Sequence, residues 1–132
     1  MRLNGLFRNR FWNASLLNDS NSIKSGVIQD RTIYEDVEIF ARNLHEMNFM
    51  SNRDWETYKD LFSNMVQFLK KPDLLIYLRA STDTILSRVK NRDRNFERNI
   101  SPEYLQSLNI SYDKWINQAT DHNILTLETD DF

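Results

Sequence analysis

Two groups of residues in this 132-residue chain combine types and spacings that could do chemistry. The first is Asp30-Arg31, which directly follows the short apolar run Val27-Ile28-Gln29. A carboxylate beside a guanidinium can hold a metal ion and a phosphate, respectively. The same pair also fits a structural ion pair or a helix-capping aspartate. The second group runs Arg88-Val89-Lys90-Asn91-Arg92-Asp93-Arg94-Asn95-Phe96-Glu97-Arg98. Arg88 and Arg92 are four residues apart and would share one face of a helix, with Arg94 in the loop beyond. Converging guanidinium groups suit phosphoryl oxygens, whose charge spreads over three positions during transfer. Because Asp93 and Glu97 are interspersed, a solvated, salt-bridged helix end fits equally well. His45 and His122 have no partner His or carboxylate at metal-ligand spacing and read as structural or surface residues.

Composition narrows the field further. A net charge of −2 excludes a generally basic nucleic-acid binder. The absence of cysteine excludes disulfides and thiolate metal sites. The longest uncharged apolar run, Leu74-Leu75-Ile76-Tyr77-Leu78, is far too short to span a bilayer. No apolar stretch follows Arg2, Arg8 and Arg10 to make a secretory leader, so a cytoplasmic protein without membrane contact is the expectation. Only two glycines occur, Gly5 and Gly26, and neither G-x-x-x-x-G-K-[ST] nor G-x-G-x-x-G is present. A phosphate-cradling loop needs clustered glycines so that backbone amides can approach the phosphates.

These groups need elements to position them. Three apolar runs read as strands: Val27-Ile28-Gln29, Leu74 to Leu78, and Ile124-Leu125-Thr126-Leu127. Ile33, Val37, Phe40, Ala41, Leu44 and Met47 form one helical stripe. Ser51 is placed to cap a second helix carrying Trp55, Tyr58, Phe62, Met65, Val66 and Leu69. Ser81 or Thr82 starts a third with Ile85, Leu86 and Val89. Ser101-Pro102-Glu103 starts a fourth with Tyr104, Leu105, Leu108, Tyr112, Trp115 and Ile116. Phe7, Phe11, Trp12, Leu16 and Leu17 could make a further stripe, weakened by four Asn within residues 6–22. Strands alternating with helices predict an α/β fold with a parallel sheet, in one domain over residues 1–132. Ligands of such sheets sit beyond the carboxyl ends of the strands, which adds Arg79, Ser81, Asp130, Asp131 and Phe132 to the candidates.

A family resemblance runs through these residues. Asp30-Arg31-Thr32-Ile33-Tyr34-Glu35-Asp36, followed by Ile39-Phe40-Ala41 and Asn43-Leu44, resembles the (D/E)-R-S/T-x-Y-x-D…I-F-A signature of deoxynucleoside kinases. Pro72 to Ser81 is similar to that family's strand leading into its lid helix. Arg88…Arg92-Asp93-Arg94…Glu97 is similar to the arginine-rich lid, and Tyr104…Trp115 and Leu125…Phe132 continue the likeness in the same order. The resemblance covers residues 26–132 and is nearest in flavour to bacterial deoxyadenosine and deoxyguanosine kinases.

It implies a P-loop kinase-type parallel sheet with flanking helices, and ATP-dependent phosphorylation of the 5′-hydroxyl of a purine deoxynucleoside. By resemblance, Asp30 would stand near Mg2+ and Arg31 near the reacting 5′-oxygen. Asp36 and Phe40 would meet the nucleobase, and Glu97 the sugar 3′-hydroxyl. Arg88, Arg92 and Arg94 would close on the ATP phosphates, with Arg92 also packing on the ATP base. Asp131 and Phe132 would lie by adenine. A homodimer through the helices of residues 33–69 is a further expectation. The family's central P-loop strand, its lysine and its catalytic-base carboxylate should precede this region, and residues 1–25 carry none of them. An incomplete domain, inactive alone, is therefore expected. The alternative is a non-catalytic module that pairs with a full-length kinase. Asp93 also departs from the family, which usually has glycine there.

Overall fold

A computed structural model describes residues 28–92 and 100–132. The chain divides into two compact units, Met1–Lys71 and Pro72–Phe132, each taken by itself below. The expected stripe within residues 6–22 lies outside the described residues, as do Arg94 and Glu97.

In the first unit α1 (Ile33–Glu35), a π-helical stretch (Asp36–Ala41) and α2 (Arg42–Glu46) follow one another as a continuous helix. Met47 closes it, and the left-handed Asn48 (φ 59°) turns the chain toward α3 (Asn52–Val66). Asparagine tolerates that conformation better than most residues. Ser51 caps α3 as expected, its hydroxyl accepting from the Asp54 N–H at 3.1 Å. The core unites Ile33, Val37, Ala41, Trp55 and Tyr58, with Tyr34, Met50, Phe62, Met65 and Leu69 packed around them.

The first stripe departs from an α-helical one. Phe40 is half-buried and Met47 exposed, while Ile39, Asp36 and Asn43 are buried. A π turn takes up more residues than an α turn, so the buried positions 33, 36, 37, 39, 41 and 43 do not follow the spacing of one α-helical stripe. The strand expected at 27–29 is also corrected. Val27 is outside the described residues; Ile28 and Gln29 are not in a strand, and Ile28 is fully exposed. The reason is local: Arg31 is left-handed (φ 61°), which ends an already short extended run.

In the second unit β1 (Leu75–Arg79) leads through α4 (Thr82–Arg92) and α5 (Pro102–Gln118) to β2 (Ile124–Glu128). The strands pair in parallel with Leu75 opposite Ile124 and Arg79 opposite Glu128. Their long helical connection requires this direction. The α/β reading with a parallel sheet therefore holds. Ser81 and Ser101 cap α4 and α5 through their hydroxyls, and Pro102 opens α5. On one sheet face Tyr77 stacks on Tyr112 of α5, ring centroids 5.8 Å apart. The other face carries Ile76 and Leu78 opposite Leu125 and Leu127, all four exposed.

Candidate functional site

The candidate residues of the first unit lie where the chain enters its helix. Arg31 adopts a conformation that costs on the order of 1–2 kcal/mol for a residue with a Cβ. The next residue stabilises the turn, because the Thr32 N–H donates to the Glu35 carboxylate. The turn lays the Arg31 guanidinium over the Phe40 ring, 5.0 Å from its centroid. Such a cation–π contact contributes about 0.5–2 kcal/mol and fixes a long side chain that would otherwise sample many rotamers. Asp36 is buried one turn before Phe40, and Asp30 is exposed beside Arg31. Asp30 and Arg31 thus lie in the turn and Asp36 and Phe40 in the helical segment that follows it, and Arg31 contacts Phe40.

Among the described residues no group of three His, Cys, Asp or Glu is placed to hold a metal ion. Magnesium typically keeps waters and takes phosphate oxygens beside one or two carboxylates. The exposed Asp30 carboxylate is a fitting donor on those terms.

The second unit gathers its candidates past the carboxyl ends of β1 and β2. Arg79 there belongs to a structural ion network. Its guanidinium donates to both Asp113 oxygens of α5, at 3.0 and 3.1 Å, and to Glu128 of β2 at 3.2 Å. These bonds hold Arg79 more firmly in its charged form. Tyr77 also donates to Asp113, at 3.2 Å. Burial first, then the neighbouring Asp113 charge, pushes the Tyr77 phenol well above its ordinary range. Of the two readings of a strand-end arginine, the ion pair prevails at Arg79. Sequence reasoning missed Asp113, which carries no local signal because its partners stand 34 and 36 residues away.

Arg88, on the α4 face expected for it, donates to the Thr129 hydroxyl at 3.2 Å, to the Thr129 carbonyl and to the Phe132 carbonyl at 3.2 Å. Arg92 is exposed one turn farther along, and Asp131 and Phe132 are exposed beyond β2. Asp130 accepts the Ser81 N–H at 2.8 Å. That bond first, and then the Thr84 hydroxyl, holds the Asp130 carboxyl below the usual carboxylate range. A carboxyl lowered by folding stabilises above its unfolded value, and that contribution is lost as pH falls through its folded value. We therefore expect the urea midpoint to drop as pH falls through and below the ordinary carboxylate range, and to drop less in Asp130→Asn. Equal pH dependence in both proteins would show that Asp130 is not the group responsible.

Comparison with known proteins adds to this geometry. A family model described as "Deoxynucleoside kinase" matches residues 6–132. The chain is 44% identical over 91 residues to a deoxyadenosine kinase of Dictyostelium discoideum, covering 69% of this chain and 37% of that protein. It is 37% identical over 109 residues to a deoxyadenosine/deoxycytidine kinase of Bacillus subtilis, covering 81% of this chain and 50% of that protein. It thus spans half or less of these curated relatives. A solved structure of M. mycoides deoxyadenosine kinase with bound dATP aligns with TM-score 0.78 and 29% identity, over 96% of this chain and 66% of that one. The same enzyme with dCMP and dCDP bound gives TM-score 0.80 and 31% identity, over 95% and 62%.

Proposed function

The chain belongs to the deoxynucleoside kinase family, and from that premise we propose that it is part of a cytoplasmic enzyme that transfers the γ-phosphoryl group of ATP to the 5′-hydroxyl of a purine deoxynucleoside. The observation that carries this reading is the Arg31 guanidinium laid over Phe40 beside the buried Asp36. An aromatic face, a carboxylate and an oriented guanidinium are what a nucleoside needs for stacking, base-edge hydrogen bonding and placement of its 5′-oxygen. The deoxyadenosine kinase names favour a purine substrate, while the name of the Bacillus subtilis relative adds deoxycytidine.

Arg31 acts on the reacting oxygen in this scheme, and Asp36 and Phe40 hold the base. Glu97 takes the 3′-hydroxyl. Asp131 and Phe132 lie by the adenine of ATP. Arg92 and Arg94 meet the phosphates; Arg88, one helical turn before Arg92, has its guanidinium engaged by Thr129 and Phe132. Asp30 holds magnesium, which when bound neutralises phosphate charge. The chain's own part is positioning and charge complementarity, the usual division of labour in phosphoryl transfer. We also place a homodimer contact on the helices of residues 33–69, where Leu61 of α3 and Phe68 just past its end are exposed.

The 132 residues contain no glycine-rich phosphate loop, so the chain by itself should bind without turning over. Titrating deoxyadenosine into the labelled chain should shift the amide signals of Asp36 and Phe40, and Arg31→Ala should weaken that response several-fold. No shift in the unaltered chain would remove the nucleoside reading. ATP-dependent phosphorylation above a blank, abolished in Arg31→Ala, would show instead that this chain is catalytically sufficient.

A further inference from the structure

Arg88 was expected to face phosphate, yet three of its hydrogen bonds go to the segment that follows β2. The same segment is tied down elsewhere. The Thr129 N–H and hydroxyl both donate to the Arg79 carbonyl, at 2.8 and 2.9 Å. Asp130 reaches across to the N–H of Ser81, the residue that caps α4. Two side chains therefore clamp residues 129–132 to α4 at separate points: Asp130 at its first turn and Arg88 two turns along. Between these anchors the exposed Phe132 ring and Asp131 are carried on a fixed backbone, with the Phe132 N–H bonded to the Thr129 carbonyl at 3.3 Å. Arg92 lies one turn beyond Arg88 on the same face of α4, about 6 Å along its axis.

We propose that Asp130 and Arg88 are positioning residues that join the segment after β2 to α4 as one body, so that a nucleotide base seated against Asp131 and Phe132 also sets where Arg92 stands. The inference rests on the nucleotide reading above for what the segment presents, while the clamp itself rests on the hydrogen bonds. A guanidinium with its donors engaged by fixed carbonyls is a rigid strut, whereas one left in water would average over many rotamers. Phosphate contact by Arg92 would then depend on occupancy of the base site. Uncoordinated arginines would supply charge without that dependence.

The experiment uses the full 132-residue chain and two variants, Asp130→Ala and Arg88→Met, the second keeping most of the apolar stem. Without ligand, amide hydrogen exchange at Ser81 should speed up about tenfold in Asp130→Ala, and exchange at Phe132 about tenfold in Arg88→Met. With ADP as the probe, the amides of Asp131, Phe132 and Arg92 should shift along one common titration curve in the unaltered chain. In Arg88→Met the shifts at Asp131 and Phe132 should persist while the Arg92 shift falls about threefold or more, a decoupling that general loss of stability would not produce. Unchanged exchange in both variants, or an undiminished Arg92 response, overturns the inference. Absence of any ADP-induced shift in the unaltered chain overturns the nucleotide reading, and the exchange rates then decide the clamp alone.

Discussion

Replacing Trp55 by alanine should cost the first unit about 3–5 kcal/mol, one of the largest losses any single substitution can produce here. Trp55 is buried at 8% exposure and belongs to the cluster formed by Ile33, Val37, Ala41 and Tyr58. Its ring is also shared among three polar neighbours. His45 stacks on it with centroids 5.4 Å apart, and Arg42 and Lys59 stand 6.0 and 5.4 Å from its centre. Truncation would leave a cavity against the α1–π–α2 helix and strand two cations and an imidazole without their platform. The loss of area burial decides the outcome, because each cation–π contact at a partly exposed site adds only about 0.5–1 kcal/mol. Small domains have only about 5–15 kcal/mol in total, so most of the stability margin disappears. The expected reading is a thermal midpoint lowered by at least about 12 °C, with faster amide exchange at Ile39 and Tyr58. A shift of only one or two degrees would mean that the ring is not the keystone of that core. Because the helix that Trp55 packs against carries Asp36 and Phe40, deoxynucleoside binding should be lost along with it.

The elements were legible wherever a local rule was strong. Ser51, Ser81 and Ser101 announce their helices because a hydroxyl satisfies orphan N–H groups within one turn, a demand that needs no distant partner. The runs Leu74 to Leu78 and Ile124 to Leu127 read as strands from apolar content, the structure has strands at Leu75–Arg79 and Ile124–Glu128, and the helices between them imply parallel pairing. The π winding at Asp36–Ala41 was not legible, since it reflects how a whole helix settles on α3 and not any residue preference. Its effect was to move Phe40 out of the buried stripe, leaving it half-buried under Arg31. The short run ending at Gln29 misled because three apolar or neutral residues carry no information about a ladder partner. At the candidate site the residue types were visible but their alternatives could not be separated. Whether Arg79 meets a ligand or Asp113, and whether Arg88 meets phosphate or Thr129, depends on contacts made 34 and 41 residues away. Spacing along one helix cannot carry that information.

The sheet of the second unit should drive self-association, and placing lysine at both Leu78 and Leu127 should raise the concentration at which it begins by about a hundredfold or more. Ile76, Leu78, Leu125 and Leu127 share one face, paired as Ile76–Leu125 and Leu78–Leu127, and are 42–62% exposed. Four aliphatic side chains on adjacent strands make a contiguous apolar patch, the kind of surface that monomeric proteins keep small. Both outer edges of the two-stranded sheet also offer unpaired backbone groups among the described residues. Fully burying one leucine is worth about 1.5–3 kcal/mol, so losing two from each copy outweighs the roughly 2.7 kcal/mol that a hundredfold shift requires. Lysine is the chosen replacement because a charged stem resists both face-to-face stacking and edge pairing. Sedimentation velocity across about 1–100 μM should show larger species growing with concentration in the unaltered chain and nothing larger than the dimer of the 33–69 helices in the double variant. The helices of residues 33–69 offer the competing surface, and Leu61→Lys with Phe68→Lys tests it. If that pair abolishes association and the sheet variant does not, helix pairing is the driving contact. A chain that stays monomeric throughout the range would show that the apolar sheet face is too small to act alone.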